Sequence, residues 1–191
     1  MRIVLIMPKP QSSAPSSQRG SSQELLLRSP LLSDEAVVAI AQAELTADGF
    51  DFALNHPEQG WEEYLANVAR DRSGVDLPPG RVAATMLFAV VAGQIVGRVH
   101  IRHALTPALL EVGGHIGYGV RPEYRRRGHA TEMLRQGLEV IRDLGIQRAL
   151  VTCDDDNPGS IRTIERCGGV LENTIPISGA APKRRYWIDL S

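Results

Sequence analysis

Three consecutive arginines, Arg125, Arg126 and Arg127, stand directly before Gly128, and an alternating run of Ile116, Tyr118 and Val120 leads into them. That order reads as a strand passing through a basic, glycine-bearing loop into a helix. The first N–H groups of a helix have no intrahelical acceptor and its N-terminal end is positive. An anion placed there gains hydrogen bonds and charge stabilisation together. Gly128 presents no side chain, so an anion of pyrophosphate size can approach the backbone. His115 stands one residue before the alternating run, and an imidazole titrates close enough to neutrality to relay a proton.

The pattern Arg-x-x-Gly-x-Ala, carried by Arg125, Gly128 and Ala130, resembles the acetyl-CoA-binding motif of the GNAT superfamily of N-acetyltransferases. A second segment is similar to that superfamily's next motif, in which a helix begins Asn-x-x-Ser and ends Glu-Arg-x-Gly. Here it reads Asn157-Pro158-Gly159-Ser160 and then Ile164-Glu165-Arg166-Cys167-Gly168-Gly169. The two segments keep the superfamily's order, with one amphipathic helix and one strand between them. The run from Gly113 to Tyr118 and the closing Arg185-Tyr186-Trp187-Ile188 resemble a bacterial branch of predicted acetyltransferases. The resemblance covers roughly residues 31–191, most of the chain.

The resemblance implies a mixed α/β (α+β) fold: a mostly antiparallel central sheet flanked by helices, with its two central strands splayed to admit a pantetheine arm. It implies transfer of an acetyl group from acetyl-CoA, a co-substrate, to a primary amine of a small molecule or peptide. Attack in a ternary complex is expected, because no activated nucleophile is visible to carry the acyl group. By the same resemblance, the backbone N–H groups of Arg126, Arg127, Gly128, His129, Ala130 and Thr131 hold the pyrophosphate, with the guanidinium of Arg125 or Arg126 alongside. Val120 either pairs with a pantetheine amide or points its N–H at the thioester carbonyl. Asn157 and Ser160 approach the arm from the opposite side, although Asn157 equally reads as the N-cap of the helix that starts at Pro158.

His115 is the first candidate for the base, since it lies close to where some members place a catalytic glutamate; the alternative is a histidine bonded between strands. Glu111 and Glu123 are fallbacks. Many members carry a tyrosine on the last motif's helix that protonates the leaving thiolate, and that position here is Ile164. The departure leaves Tyr118, Tyr186, water, or a thiolate that departs unaided. A coenzyme-A-binding sensor or interaction module with little catalysis is the second reading. Members are often homodimers.

These groups must be positioned by the rest of the chain. Residues 1–22 are rich in Ser, Pro and Gln and read as a disordered leader, because they cannot bury enough surface to offset the entropy of ordering. Residues 23–191 then form a single domain. A strand is expected over residues 24–28, and a helix begins at Ser33-Asp34 with Val37, Val38, Ala41 and Leu45 at helical spacing, ending near Gly49. A second helix is expected from Pro57 to Arg70 with Trp61, Tyr64, Leu65 and Val68 on one face. Val82–Val91 and Ile95–Ile101 form a hairpin; the stretch from Thr106 to Leu110 is a connector. Met133, Leu134, Leu138, Ile141 and Leu144 mark the inner face of the helix after Gly128, which Gly145 stops. Ala149–Cys153, Val170-Leu171 and Tyr186–Leu190 supply the remaining strands.

With 191 residues, 43% of them apolar, and a net charge of -1, the chain can bury one substantial core and has no global electrostatic pull toward nucleic acid or an anionic membrane. The arginine triplet lacks the interleaved aromatics and wider basic stripe of a nucleic-acid surface. Two cysteines, Cys153 and Cys167, fit packing roles and a reducing compartment, which makes the cytoplasm the expected location. Asp154, Asp155 and Asp156 precede a helix, where acidic residues favour the dipole, and no histidine stands at metal-ligand spacing; no metal is expected. His100 and His103, flanking Arg102 at the end of a strand, read as a polar cluster at a loop edge, with a substrate-facing role as the alternative. Glu58, Glu62 and Glu63 beside Trp61 fit a cationic acceptor or a solvated helix face equally well.

Overall fold

The computed structural model describes residues 24–54 and 60–191. The expected leader and the expected helix start at Pro57 lie outside the described residues. In chain order the elements are β1 (Leu26–Arg28), α1 (Glu35–Thr46), α2 (Trp61–Ser73), β2 (Ala84–Val91), β3 (Gln94–Arg102), α3 (Pro107–Glu111), β4 (Ile116–Val120), α4 (His129–Asp143), β5 (Arg148–Asp154), α5 (Pro158–Arg166), β6 (Val170–Ile177) and β7 (Ala180–Asp189). Strands β1 to β4 form one antiparallel sheet in sequential order, and β5, β7 and β6 form another, with β7 in the middle.

Two apolar layers cover the first sheet. Leu87, Val99 and Ile101 point to the side of α4 and α5, where Met133, Leu134, Leu138, Ile141 and Ile164 meet them. Met86 and Phe88 point the other way, onto Val38, Ala41 and Leu45 of α1 and Trp61 and Tyr64 of α2. The alternation along β2 therefore feeds both cores, as period-two geometry requires. Trp61 is a core residue: its ring stacks on Tyr64 at 4.7 Å and its Nε1 donates to the Leu31 carbonyl (3.1 Å). The β2–β3 hairpin turns on Ala92 and Gly93, both at positive φ (51° and 77°), the pair of angles that matches the twist of the flanking strands.

The connector at Thr106 is a short helix, capped by the Thr106 hydroxyl accepting from Leu109 N–H (3.2 Å). The last two strands run much further than their apolar residues indicate. β6 and β7 continue through Glu172, Asn173, Lys183 and Arg184 to a turn at Gly179 (φ 74°), and this outer arm is mostly exposed. Polar residues on a two-sided solvated hairpin leave no period-two signal to read.

The strands β4 and β5 are neighbours in space but belong to different sheets. They meet where His115, just before β4, faces Leu150 of β5: His115 N–H donates to Leu150 O (2.7 Å), and Leu150 N–H donates to His115 Nδ1 (2.9 Å). No ladder joins them beyond that point among the described residues. This is the expected splay of the central strands. Bonded and non-bonded pairs alternate in an antiparallel ladder, so the bonds from Arg102 N–H to His115 O (2.8 Å) and from Arg121 N–H to Val96 O (2.9 Å) set the phase of β3 against β4. In the register that pairs Val99 with Tyr118 and Gly97 with Val120, the backbone groups of Tyr118 and Val120 turn away from β3 and into the gap.

Candidate active site

One wall of the site is the loop that leaves β4 and enters α4. Arg126 has φ 65° and Gly128 has φ 84°, and left-handed residues between extended or helical ones turn successive N–H groups toward one point. Among the described residues, the N–H groups of residues 126–130 have no backbone acceptor. Thr131 N–H differs from the expectation that it joins this row, for it donates to the Gly128 carbonyl at 3.1 Å. Space around Gly128 is open, with no atom within 4 Å of where a Cβ would stand.

Two of the three arginine side chains have partners of their own. Arg125 donates through Nε to the Val120 carbonyl (3.0 Å) and pairs with Asp48 at the end of α1. Arg127 donates to the Glu123 carbonyl (2.8 Å) and lies over the Tyr124 ring. Both therefore shape the loop, and the guanidinium left without a partner among the described residues is that of Arg126. His129, the first residue of α4, is held below the ordinary histidine range by burial and by Arg127. Just before the loop, Arg121 is buried and forks onto Glu44 of α1 with two bonds of 2.8 Å while a third reaches the Ile95 carbonyl (2.9 Å). Sequence reasoning passed over this anchor because its partner is far away along the chain.

The opposite wall is the start of α5. Asn157 Oδ1 accepts from Ser160 N–H at 3.0 Å, so the capping role is realised and the Asn157 amide NH₂ stays available as a donor. The Tyr118 hydroxyl is buried toward Ser160 and Thr163 without closing a hydrogen bond to either. Burial pushes this phenol well above its usual range and keeps it protonated at any ordinary pH. Cys153 and Cys167 lie beside it; burial raises both thiols, Cys153 to about 11, which makes them inert packing groups. Ile164 is fully buried in the core.

His115 is placed differently from a base. Its Nδ1 accepts from Leu150 N–H, so the neutral ring carries its proton on Nε2 and has no lone pair left for an amine proton. Burial, and then Arg102, holds it below the ordinary histidine range. It is the histidine bonded between strands. The fallbacks Glu111 and Glu123 are exposed, and Tyr186 is buried with its hydroxyl 3.5 Å from Glu165.

On the face of β3 opposite α4 lie Arg98, which sequence reasoning missed, and the His100 and Arg102 of the expected polar cluster. Arg98, His100 and Arg102 alternate along that face. Arg98 is 4% exposed; it donates to the carbonyls of Phe52 (3.1 Å), Asp51 (2.8 Å) and Gly117 (3.4 Å) and lies 4.5 Å over the Phe50 ring. Burial lowers its pKa to about 10. A Cβ on Gly119 would stand 2.5 Å from that ring, so glycine there is what lets Phe50 seat beneath the guanidinium. His100 is partly buried within β3 with its Nδ1 covered, rather than at a loop edge, whereas His103 bonds the Thr85 hydroxyl through Nε2 at 2.8 Å. An apolar-polar alternation, Val99 and Ile101 against Arg98, His100 and Arg102, was legible; a solvated outer face was its simplest reading. Glu62 and Glu63 are exposed on α2 and stand outside this surface.

No helix among the described residues is long and apolar enough to cross a membrane. The acetyltransferase (GNAT) domain family matches residues 24–170, more than half of the chain. A mycothiol acetyltransferase of Pseudarthrobacter chlorophenolicus is 30% identical over 114 residues, which are 60% of this chain and 34% of that protein. The chain thus spans about a third of the length of that relative. Among solved structures, Mycobacterium smegmatis RimJ in complex with CoA-disulfide is similar with a TM-score of 0.65 at 20% identity, over 87% of this chain and 82% of that one. A microcin self-immunity acetyltransferase, MccE, in complex with acetyl-CoA and AMP gives 0.65 at 18% identity, over 90% and 98%. At these identities the likeness to solved structures is one of fold.

Proposed function

The chain belongs to the acetyltransferase (GNAT) domain family, and we propose that it transfers an acetyl group from acetyl-CoA to a primary amine by direct attack. One observation carries this reading: the row of unsatisfied N–H groups at 126–130 stands at the mouth of the unladdered gap between β4 and β5. A pyrophosphate fits the first and an amide-bearing arm fits the second. Bound there, acetyl-CoA supplies the acyl group as a thioester.

Each residue then has a task that its geometry supports. Residues 126–130 donate to the phosphate oxygens, and the Arg126 guanidinium adds charge. Val120 N–H, fixed in its strand and turned into the gap, donates to the oxygen that becomes negative. Such a donor needs no reorganisation during the reaction. The Asn157 NH₂ meets the arm from α5. The Tyr118 hydroxyl donates a hydrogen bond to the sulfur as it departs. With its pKa pushed up it stays the weaker acid of the two, so it stabilises a thiolate rather than surrendering its proton. The acceptor comes from the face of β3 that carries Arg98 and Arg102, whose positive field disfavours an ammonium ion there. The amine therefore arrives neutral and sheds its proton to water, and no side-chain base is required. His115 holds β5 to β4 at the closed end of the gap.

Titration calorimetry with acetyl-CoA, followed by thiol-release assays on a panel of amines, tests the proposal. Binding with turnover supports it. Absence of binding refutes the reading of residues 126–130, and binding without turnover on any amine refutes the transferase reading.

A further inference from the structure

Between α2, α3 and the face of β2 and β3 that carries His100 lies a cavity of about 300 Å³, a volume suited to a molecule of amino-acid size. Leu54, Val68, Met86 and Leu109 make its walls largely apolar. Its polar groups are few. Asp71 is the one acidic lining residue among the described residues, and it is paired with Arg81 at 3.2 Å.

Two polar groups in this cavity lack what their chemistry calls for. Arg102 donates from Nη1 to the carbonyls of Gly113 (3.1 Å) and Gly114 (3.2 Å), yet among the described residues no carboxylate is in ion-pair contact with it. His100 has a buried Nδ1 with no hydrogen-bond partner. Behind them the Arg98 guanidinium donates to the carbonyls of Phe52 and Asp51. A partly buried guanidinium without a carboxylate and an orphaned ring nitrogen on one wall form an incomplete site, since buried polar groups are ordinarily satisfied. An anion completes it: a carboxylate accepts from Arg102, with the His100 ring beside it on the same wall. A cation meets two guanidinium groups across a low-dielectric space and is repelled.

We infer that this cavity holds the anionic group of the acceptor, so that the amine acetylated belongs to a small molecule that also carries a carboxylate. This rests on the acetyltransferase reading above and replaces the cationic acceptor that Glu58, Glu62 and Glu63 had made plausible; of these, Glu58 lies outside the described residues, and Glu62 and Glu63 do not line the cavity. The register agrees with it. His100 stands opposite Gly117, and Arg102 bonds the His115 carbonyl, so the anion site lies one strand away from the backbone that enters the gap.

The test compares acids with their neutral twins. Thiol release is measured at saturating acetyl-CoA with L-leucine, L-phenylalanine, their carboxamides and spermidine. In parallel, N-acetyl-L-leucine and N-acetyl-L-leucinamide are titrated onto the CoA-loaded protein by ligand-observed NMR. The acid of each pair is expected to win by about tenfold or more, the worth of a charge-assisted hydrogen bond that its twin cannot make. Arg102→Met should erase that preference. His100→Phe, which leaves Arg102 tied to Gly113 and Gly114, should shrink it without abolishing it, and this second variant guards against a folding defect in the first. Equal use of acid and amide, preference for spermidine, or binding of neither product overturns the inference. Calorimetry with acetyl-CoA separates the two levels: intact binding with no acid preference overturns this inference alone, whereas no binding takes the proposed function down with it.

Discussion

The two regions proposed for the co-substrate and for the acceptor are built by different means. On the side of residues 120–131 the donors are backbone N–H groups, arranged by left-handed residues and a helix start. On the side of the cavity they are side chains, Arg98, His100 and Arg102, aligned on one strand face, with the two arginines held by loop carbonyls. A backbone cradle is indifferent to what surrounds it and suits a constant ligand portion. A buried cationic wall is costly to build and suits a choice among acceptors. The contrast locates shared chemistry in local chain geometry and selectivity in tertiary packing.

The largest effect is expected from breaking the first side. Gly128→Glu puts negative charge and a Cβ at φ 84° where the phosphates are read to bind, and should weaken acetyl-CoA by at least about a hundredfold, while the strain of a side chain at that φ, in otherwise open space, should lower the thermal midpoint by only a few degrees. Calorimetry and a thermal melt check both halves. The equivalent blow to the second side falls on the fold. Arg98→Met strands the Asp51 and Phe52 carbonyls and should cost roughly 3 kcal/mol in urea denaturation. A loss under about 1 kcal/mol would show that the guanidinium was not what held that loop.

Tyr118→Phe sits between the two regions. Removing the hydroxyl should lower kcat by about tenfold to a hundredfold with acetyl-CoA affinity unchanged, and an unaltered kcat would remove Tyr118 from the reaction. A smaller and pH-dependent effect comes from His100, whose pKa burial, then Arg102 and Arg98, lower to about 3. Above pH 6.5 both the folded and the unfolded chain keep this ring neutral. As pH falls below 6.5 the unfolded chain takes up a proton that the folded chain refuses, so stability drops steadily toward pH 3. His115 is shifted in the same direction and adds to the slope. Denaturant titrations at pH 7, 5 and 4 should show His100→Phe with a shallower acid decline than the parent. The smallest change is Asn157→Ala, which removes the cap on Ser160 N–H and should cost about 1 kcal/mol, together with a modest loss of acetyl-CoA affinity if the NH₂ reaches the arm.

What the sequence by itself determined is the order of elements and the donor side. The helix over α4, the hairpin of β2 and β3, and the strand-loop-helix passage at Arg126 to Ala130 all follow from periodicity, turn residues and local spacing, because each rests on hydrogen bonds between residues close in the chain. Even the cap at Asn157 was visible for that reason. What only the tertiary structure decided is which side chains the fold places together. Arg125 reaches Asp48, Arg121 reaches Glu44, and Arg98 reaches the loop at 51–52. His115 spends its Nδ1 on Leu150 and cannot be the base that its position in the sequence invites. His100 and Arg102, which looked like polar residues at a strand end, face a cavity closed by α2 and α3. Charged residues alternating with apolar ones read as solvated because water is the usual partner of a charge, and only packing from elsewhere in the chain can take that water away.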